Sequence, residues 1–185
     1  TFLTNLFLAE IRAQGNIALA IASSGIAATL MEGGRTAHSA LHLPLDITRQ
    51  ENPTCNISKG SGRALVLKTC KLIIWDECTM AHNKALQALD VTLRDLRGND
   101  NIMGGALVLL CGDFRQTLPV IPRSTPADEI NACLKYSYLW RYVRTINLKQ
   151  NMRVHKDNED SQIFSNKLLE IGEGRLPVDS SGNIK

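Results

Sequence analysis

The stretch Lys71-Leu72-Ile73-Ile74-Trp75-Asp76-Glu77 constrains the fold more than any other. Four apolar residues, two of them β-branched, follow a basic residue and run straight into two adjacent carboxylates. A short run that is apolar at every position reads as a parallel strand buried on both faces, ending at its carboxyl edge. Open α/β sheets bind ligands at that edge. Two acids side by side there suit nucleotide hydrolysis, with Asp76 holding Mg²⁺ through its water shell and Glu77 orienting and deprotonating the attacking water. This is a Walker B arrangement. An acidic pair after an apolar strand is more often a solvated turn, so the other segments must decide.

The chain has 185 residues, 44% of them hydrophobic, enough for the core of one domain. Five cysteines, Cys55, Cys70, Cys78, Cys111 and Cys133, are odd in number and lack Cys-x-x-Cys spacing. They read as reduced intracellular thiols, which argues against a disulfide framework or a zinc site. The longest apolar runs are too short to span a bilayer. A net charge of +3 and a pI near 8.6 permit a polyanionic partner without establishing one. The first residue is Thr1, inside what reads as a helix, so the sequence is expected to be a fragment.

Along the chain, Phe2, Leu3, Leu6, Phe7, Ala9 and Ile11 recur at helical spacing, and Gly15 stops the helix. Residues 17–22 read as a buried strand that leaves Ser23-Ser24-Gly25 at its carboxyl end, and a short helix over 26–31 is broken by Gly33-Gly34. Arg35 to Ser39 is a polar loop or helix start. From Leu43 to Gly62 no period holds, which predicts a long surface excursion. Residues 62–69 suggest a short helix, and the organising strand follows.

Ala85, Leu86, Leu89, Leu93 and Leu96 then mark an amphipathic helix over 81–97, stopped by Gly98. Residues 106–111 are a third buried strand, ending in Gly112-Asp113-Phe114-Arg115-Gln116. Thr125 is an N-cap with Pro126 at the first helical position. A short helix over 136–142, a fourth strand over 145–148 and a last helix over 159–171 complete the pattern. Alternating strands and helices make a mainly parallel, doubly wound sheet with helices on both faces the most economical fold.

Three strand ends thus carry polar clusters. In a nucleotide-hydrolysing sheet one end supplies metal ligand and base, and a neighbour often carries a residue that senses the terminal phosphate. Gln116 has the reach and the amide chemistry for this. A P-loop, Gly-x-x-x-x-Gly-Lys-Ser/Thr, is not in the sequence, although Thr1 opens a helix where the hydroxyl residue of that motif would stand.

These segments resemble the petite integration frequency (PIF) helicases of superfamily 1, in their Helitron-like branch. Thr1-Phe2-Leu3 is similar to the end of motif I, Ala22 to Ala28 to motif Ia, and Gly34 to Ser39 to the Thr-x-His-Ser segment. Trp75 to Met80 resembles motif II, Leu110 to Val120 motif III, and Leu148 to Arg153 motif IV, where Asn-Met-Arg replaces the Phe-Arg-Gln of cellular members.

The resemblance implies a RecA-like P-loop NTPase domain over residues 1–175, the first of two such motor domains, with a linker over 176–185. It implies ATP and Mg²⁺ as cofactors, Asp76 and Thr1 as metal residues, Glu77 as general base, Gln116 on the γ-phosphate and Arg153 as an arginine finger. Ser24, Gly25, Thr36 and His38 would grip single-stranded DNA. Trp75 and Phe114 are read as core packing. The expected parent is an ATP-dependent 5′-to-3′ DNA helicase of the nucleus or the mitochondrion, acting at single strands and duplex junctions in repair, recombination and telomere maintenance, with no membrane partner. The fragment alone, without the second RecA-like domain, is not expected to unwind DNA. Two other readings stay open: a P-loop ATPase that is not a helicase, and an inactive transposon-derived DNA-binding remnant.

Overall fold

The computed structural model describes residues 1–148 and 159–175. The chain divides into two compact units, Thr1–Tyr142 and Val143–Lys185. The first contains α1 (Phe2–Ala13), β1 (Ala18–Ala22), α2 (Gly25–Thr29), β2 (Arg35–Thr36), α3 (Ala37–Leu41), α4 (Gly62–Thr69), β3 (Leu72–Asp76), α5 (Asn83–Arg97), β4 (Leu107–Leu110) and α6 (Pro126–Ala132). Its four strands are all parallel, in the order β2-β1-β3-β4.

Strand side chains alternate between the two faces of this sheet. On one face Ala18, Ala20, Ala22, Leu72 and Ile74 pack with Leu8 of α1 and Ala27 and Ala28 of α2. On the other, Ile21, Ile73 and Trp75 pack with Leu41 of α3, Leu67 of α4 and Leu86, Leu89 and Leu93 of α5. The buried stripe of α5 is the one its period predicts: Ala85, Leu86, Leu89, Leu93 and Leu96 are all buried, and Gly98 closes the helix at φ +63°. Thr125 caps α6 in a capping box with Asp128.

The structure departs from or refines several expectations. In α1, Thr4 and Leu8 are the buried residues, while Phe2, Leu3, Leu6 and Phe7 stay exposed. Apolar residues ring most of that helix, so their spacing does not single out the face that meets the sheet. The excursion over 43–62 does run mostly over the surface, but it is anchored, because Leu43, Ile47 and Cys55 are buried in the core. It is fastened along α5: Lys84 Nζ donates to the carbonyls of Thr48 (2.8 Å) and Gln50 (2.6 Å), Thr92 Oγ1 accepts from the Cys55 N–H (2.9 Å), and Lys59 pairs with Asp95 (2.6 Å). The fourth strand is β2, not residues 145–148, which pair with no strand among the described residues. A run of that length needs a neighbour to satisfy its backbone.

β4, expected as a buried strand, is apolar throughout but only partly buried, because among the described residues it is bonded to β3 alone; Leu107 is 66% exposed. An open apolar edge templates self-association. Leu107→Lys is therefore expected to lower concentration-dependent association, read by sedimentation, while moving unfolding free energy by no more than about 0.5 kcal/mol.

Two 3₁₀ turns, Leu134–Tyr136 and Tyr138–Tyr142, stand where a single short helix is expected. In the second unit α7 (Glu159–Gly172) forms as its pattern predicts, followed by Gly174 at φ +65°. Among the described residues no helix is long and apolar enough to cross a membrane. The linker expected over 176–185 lies outside the described residues.

Candidate functional site

The carboxyl ends of the strands gather most of the candidate residues on one edge. α1 runs back along the sheet before a tight link into β1, where the Arg12 guanidinium bonds the Ala18 carbonyl (Nη2, 3.1 Å). A 12-residue helix and a five-residue strand have similar lengths, so the start of α1 reaches the carboxyl edge. The Thr1 hydroxyl makes no side-chain capping bond to this helix. By strand alternation Asp76 continues the face of Leu72 and Ile74, the face that α1 covers. Cys111, at the end of β4, lies on the same face. Its thiol is pushed up to about 11 by burial and then by the Asp76 carboxylate. Cys111 and Asp76 are thus electrostatic neighbours.

Glu77 sits immediately beyond β3, half-buried, with φ 49° and ψ 38°. A left-handed backbone at a non-glycine residue costs about 1–3 kcal/mol and persists where its surroundings enforce it. Here they do so through the turn Cys78–Met80. The Cys78 N–H donates to the Cys111 carbonyl (2.9 Å), and the Met80 N–H donates back to the Glu77 carbonyl (3.1 Å). Buried Thr79 shares a hydroxyl bond with Thr117 (3.1 Å), next to Gln116. Gly112 closes the contact: a Cβ there would stand 2.9 Å from Thr79 Cγ2, so a larger residue would push the loops carrying Glu77 and Gln116 apart. Burial also lifts the Cys78 thiol, to about 12, and keeps it protonated at neutral pH.

Gln116 is held aside, its amide donating to Asp113 Oδ2 (3.4 Å). Asp113 also accepts from Arg115 Nε and Nη2 (3.0 Å each), which holds its carboxyl below the usual carboxylate range. Phe114 packs edge-on against Trp140 (5.6 Å between centroids) with Lys135 Nζ 4.4 Å from its ring, a packing role as expected. Arg153 lies outside the described residues.

The strand-gripping candidates occupy the β1 and β2 ends. Ser24 Oγ accepts from the Ala27 N–H (3.2 Å) and Thr36 Oγ1 from the Ser39 N–H (3.3 Å), so both cap short helices and keep their hydroxyl hydrogens to donate. Gly25 begins α2 with open space around it. His38 lines a cleft of about 710 Å³ on the opposite face from Asp76, with Ser23, Trp75 and His82 among its walls. Neither Ser23 nor His82 is among the strand-gripping residues that the sequence suggests. Ser23 Oγ accepts from the buried Trp75 indole N–H (3.0 Å), and His82 Nδ1 accepts from the Lys84 N–H (3.1 Å) as the N-cap of α5.

That cap needs a neutral ring, and desolvation followed by the Lys84 charge holds the imidazole below its ordinary value. A depressed histidine binds fewer protons folded than unfolded, so stability rises with pH across the window that ends near the ordinary value of 6.5. Acidification from pH 7 towards pH 5 is expected to lower the urea midpoint, and His82→Asn, which caps without titrating, should remove that part of the slope.

A parallel sheet with helices on both faces and an acidic pair at its carboxyl edge defines the open α/β class, which binds ligands at that edge. The family model for PIF1-like helicase matches residues 1–182, and the chain belongs to that family. It is 30% identical over 167 residues to the ATP-dependent DNA helicase PIF1 of Candida albicans, covering 86% of this chain and 18% of that protein. It is 29% identical over 182 residues to the ATP-dependent DNA helicase Pif1 of Psychrobacter sp., covering 98% of this chain and 28% of that one. Among solved structures, the Candida albicans Pif1 helicase superposes with a TM-score of 0.75 at 25% identity, over 95% of this chain and 38% of that chain. Bacteroides Pif1 in complex with ADP-AlF3 and ssDNA gives 0.70 at 23%, over 90% and 39%. The fold is therefore that of the RecA-like domains of Pif1 helicases.

Proposed function

We propose that these residues form the first motor domain of an ATP-dependent DNA helicase, with ATP held on the α1 face of the sheet edge and single-stranded DNA on the α5 face. The observation that carries this is that Asp76 continues the face covered by α1, while His38 and the 710 Å³ cleft lie on the other face. The donor set fits Mg²⁺: one hydroxyl and one carboxylate leave most positions to phosphate and water, as that ion prefers. Mg²⁺ bound here would neutralise charge developing on the phosphates.

In this reading Asp76 and Thr1 would hold Mg²⁺, Glu77 would take a proton from the attacking water, and the N–H groups of α1 would hold phosphate oxygens. Gln116 leaves Asp113 to meet the γ-phosphate, and Arg153 supplies the finger. Ser24, Gly25, Thr36 and His38 contact the strand backbone. The Asp113–Arg115–Gln116 cluster makes the sensor's release from Asp113 part of the cycle. A second RecA-like domain completes the cleft, and the expected cellular setting is nucleus or mitochondrion.

The test is strand displacement by the full-length protein on duplexes with a 5′ or a 3′ single-stranded tail. Displacement from the 5′-tailed substrate alone supports the reading. ATP hydrolysis without displacement of either would leave a P-loop ATPase that is not a helicase. Salt-dependent DNA binding without hydrolysis would leave a transposon-derived remnant.

A further inference from the structure

Glu77 and Gln116 stand on loops that leave neighbouring strands, β3 and β4, and Gln116 is bonded to Asp113 on its own loop. What joins the two loops is Thr79. Its side chain is wholly buried, where a valine of the same shape would fill the space without a hydroxyl to satisfy. Both of its branches touch the loop after β4. The hydroxyl lies 3.1 Å from that of Thr117, and the methyl stands against Gly112, where a Cβ would come within 2.9 Å of Cγ2 and 3.2 Å of Oγ1. A β-branched side chain with both branches engaged has no second rotamer to visit.

The backbone carries this join to the two candidate residues. On one side the Ala81 N–H donates to the Cys78 carbonyl (2.9 Å) and the Met80 N–H to the Glu77 carbonyl (3.1 Å), so Thr79 lies inside the turn that holds Glu77 left-handed. On the other the Gln116 N–H donates to the Asp113 carbonyl (3.0 Å), which closes a turn that Thr117 directly follows. The anchor is therefore two residues from Glu77 and one residue from Gln116.

We propose that Thr79 is a positioning residue for ATP hydrolysis: clasped by Thr117 and Gly112, it sets the separation of the Glu77 carboxylate and the Gln116 amide, between which the attacking water and the terminal phosphate have to fit. This rests on the hydrolysis reading above and deepens it. Thr79 and Thr117 act through their neighbours and not on the nucleotide. A misplacement of about 1 Å in such a constellation costs about 10²-fold in rate.

The experiment measures kcat and KM for ATP in the full-length protein with saturating oligothymidylate, beside the urea midpoint of each variant, with wild type and Glu77→Gln as references. Thr79→Val keeps the shape and loses the hydroxyl. It is expected to lower kcat about 10- to 100-fold with KM within about twofold of wild type. Thr79→Ser keeps the hydroxyl and should stay within about threefold in kcat. Thr117→Val strands the buried Thr79 hydroxyl and should lower the urea midpoint more than Thr79→Val does. The double variant, Thr79→Val with Thr117→Val, replaces both partners by apolar groups of the same shape, so it should recover the midpoint but not kcat. A bond that serves stability alone would return both together.

Wild-type kcat in Thr79→Val, serine as slow as valine at this position, or kcat restored in the double variant would overturn the positioning role, and an inactive Glu77→Gln would leave the hydrolysis reading intact beside any of these results. No hydrolysis by the wild-type protein would overturn both.

Discussion

Glu77→Gln in the full-length protein is expected to bind ATP as tightly as wild type and to hydrolyse it about 10²–10⁴-fold more slowly. The substitution keeps the side-chain length, removes the base and leaves the Cys78–Met80 turn intact, since no bond of that turn uses the Glu77 side chain. Binding and turnover therefore separate: fluorescent-nucleotide titration should be unchanged while phosphate release is lost. Wild-type turnover in this variant would remove Glu77 from its role. The backbone adds an independent check. Glu77 is left-handed at φ 49°, so Glu77→Gly should also abolish hydrolysis yet raise unfolding free energy by about 1 kcal/mol through relief of strain. Strain kept at the residue that does the chemistry is a cost to stability that such sites commonly carry.

The second large effect is on folding. Asp90, wholly buried in α5, accepts from the Met103 N–H (2.6 Å), from Arg94 Nε (3.1 Å) and from the Tyr138 hydroxyl (3.1 Å), and Arg94 Nη2 lies 2.9 Å from its second oxygen. One carboxylate thus ties α5 to the turn before β4 and to the 3₁₀ turn Tyr138–Tyr142. Asp90→Ala leaves a buried N–H, a hydroxyl and a guanidinium without their acceptor. The expected loss is about 3–5 kcal/mol, measured by urea unfolding of the 185-residue chain. Tyr138→Phe, which removes one bond at the margin of this cluster, should cost only about 1 kcal/mol. Equal losses in the two variants would show that Asp90 is not the hub.

How much of this is legible in the sequence depends on the range of the forces involved. The strands over 72–76 and 18–22 and the stripe of α5 follow from local period, and the structure places them within a residue or two. The capping of α6 by Thr125 follows from local side-chain chemistry. β2 does not, because two residues, Arg35 and Thr36, carry no period; they become a strand only through register with Ile21 and Ala22. The excursion over 43–62 also defeats a local reading. Its N–H at Cys55 finds an acceptor 37 residues away, and its carbonyls at Thr48 and Gln50 find Lys84.

At the site, Asp76, Glu77 and His38 are placed by motif at one sheet edge, with His38 on the opposite face from Asp76. The partners that set their geometry are another matter. Gly112 looks like any turn glycine until Thr79 is seen against it, and the Thr79–Thr117 bond spans 38 residues. Gln116 is legible as a side chain that could sense phosphate, but its bond to Asp113 depends on a loop conformation that spacing does not encode.

The central claim is that one sheet edge hydrolyses ATP under the control of DNA bound on its other face. It is tested most directly by steady-state ATP hydrolysis of the full-length protein with and without saturating single-stranded oligothymidylate. The account predicts a rate that rises at least tenfold with DNA and vanishes in Glu77→Gln under both conditions. Hydrolysis that is the same with and without DNA would contradict it.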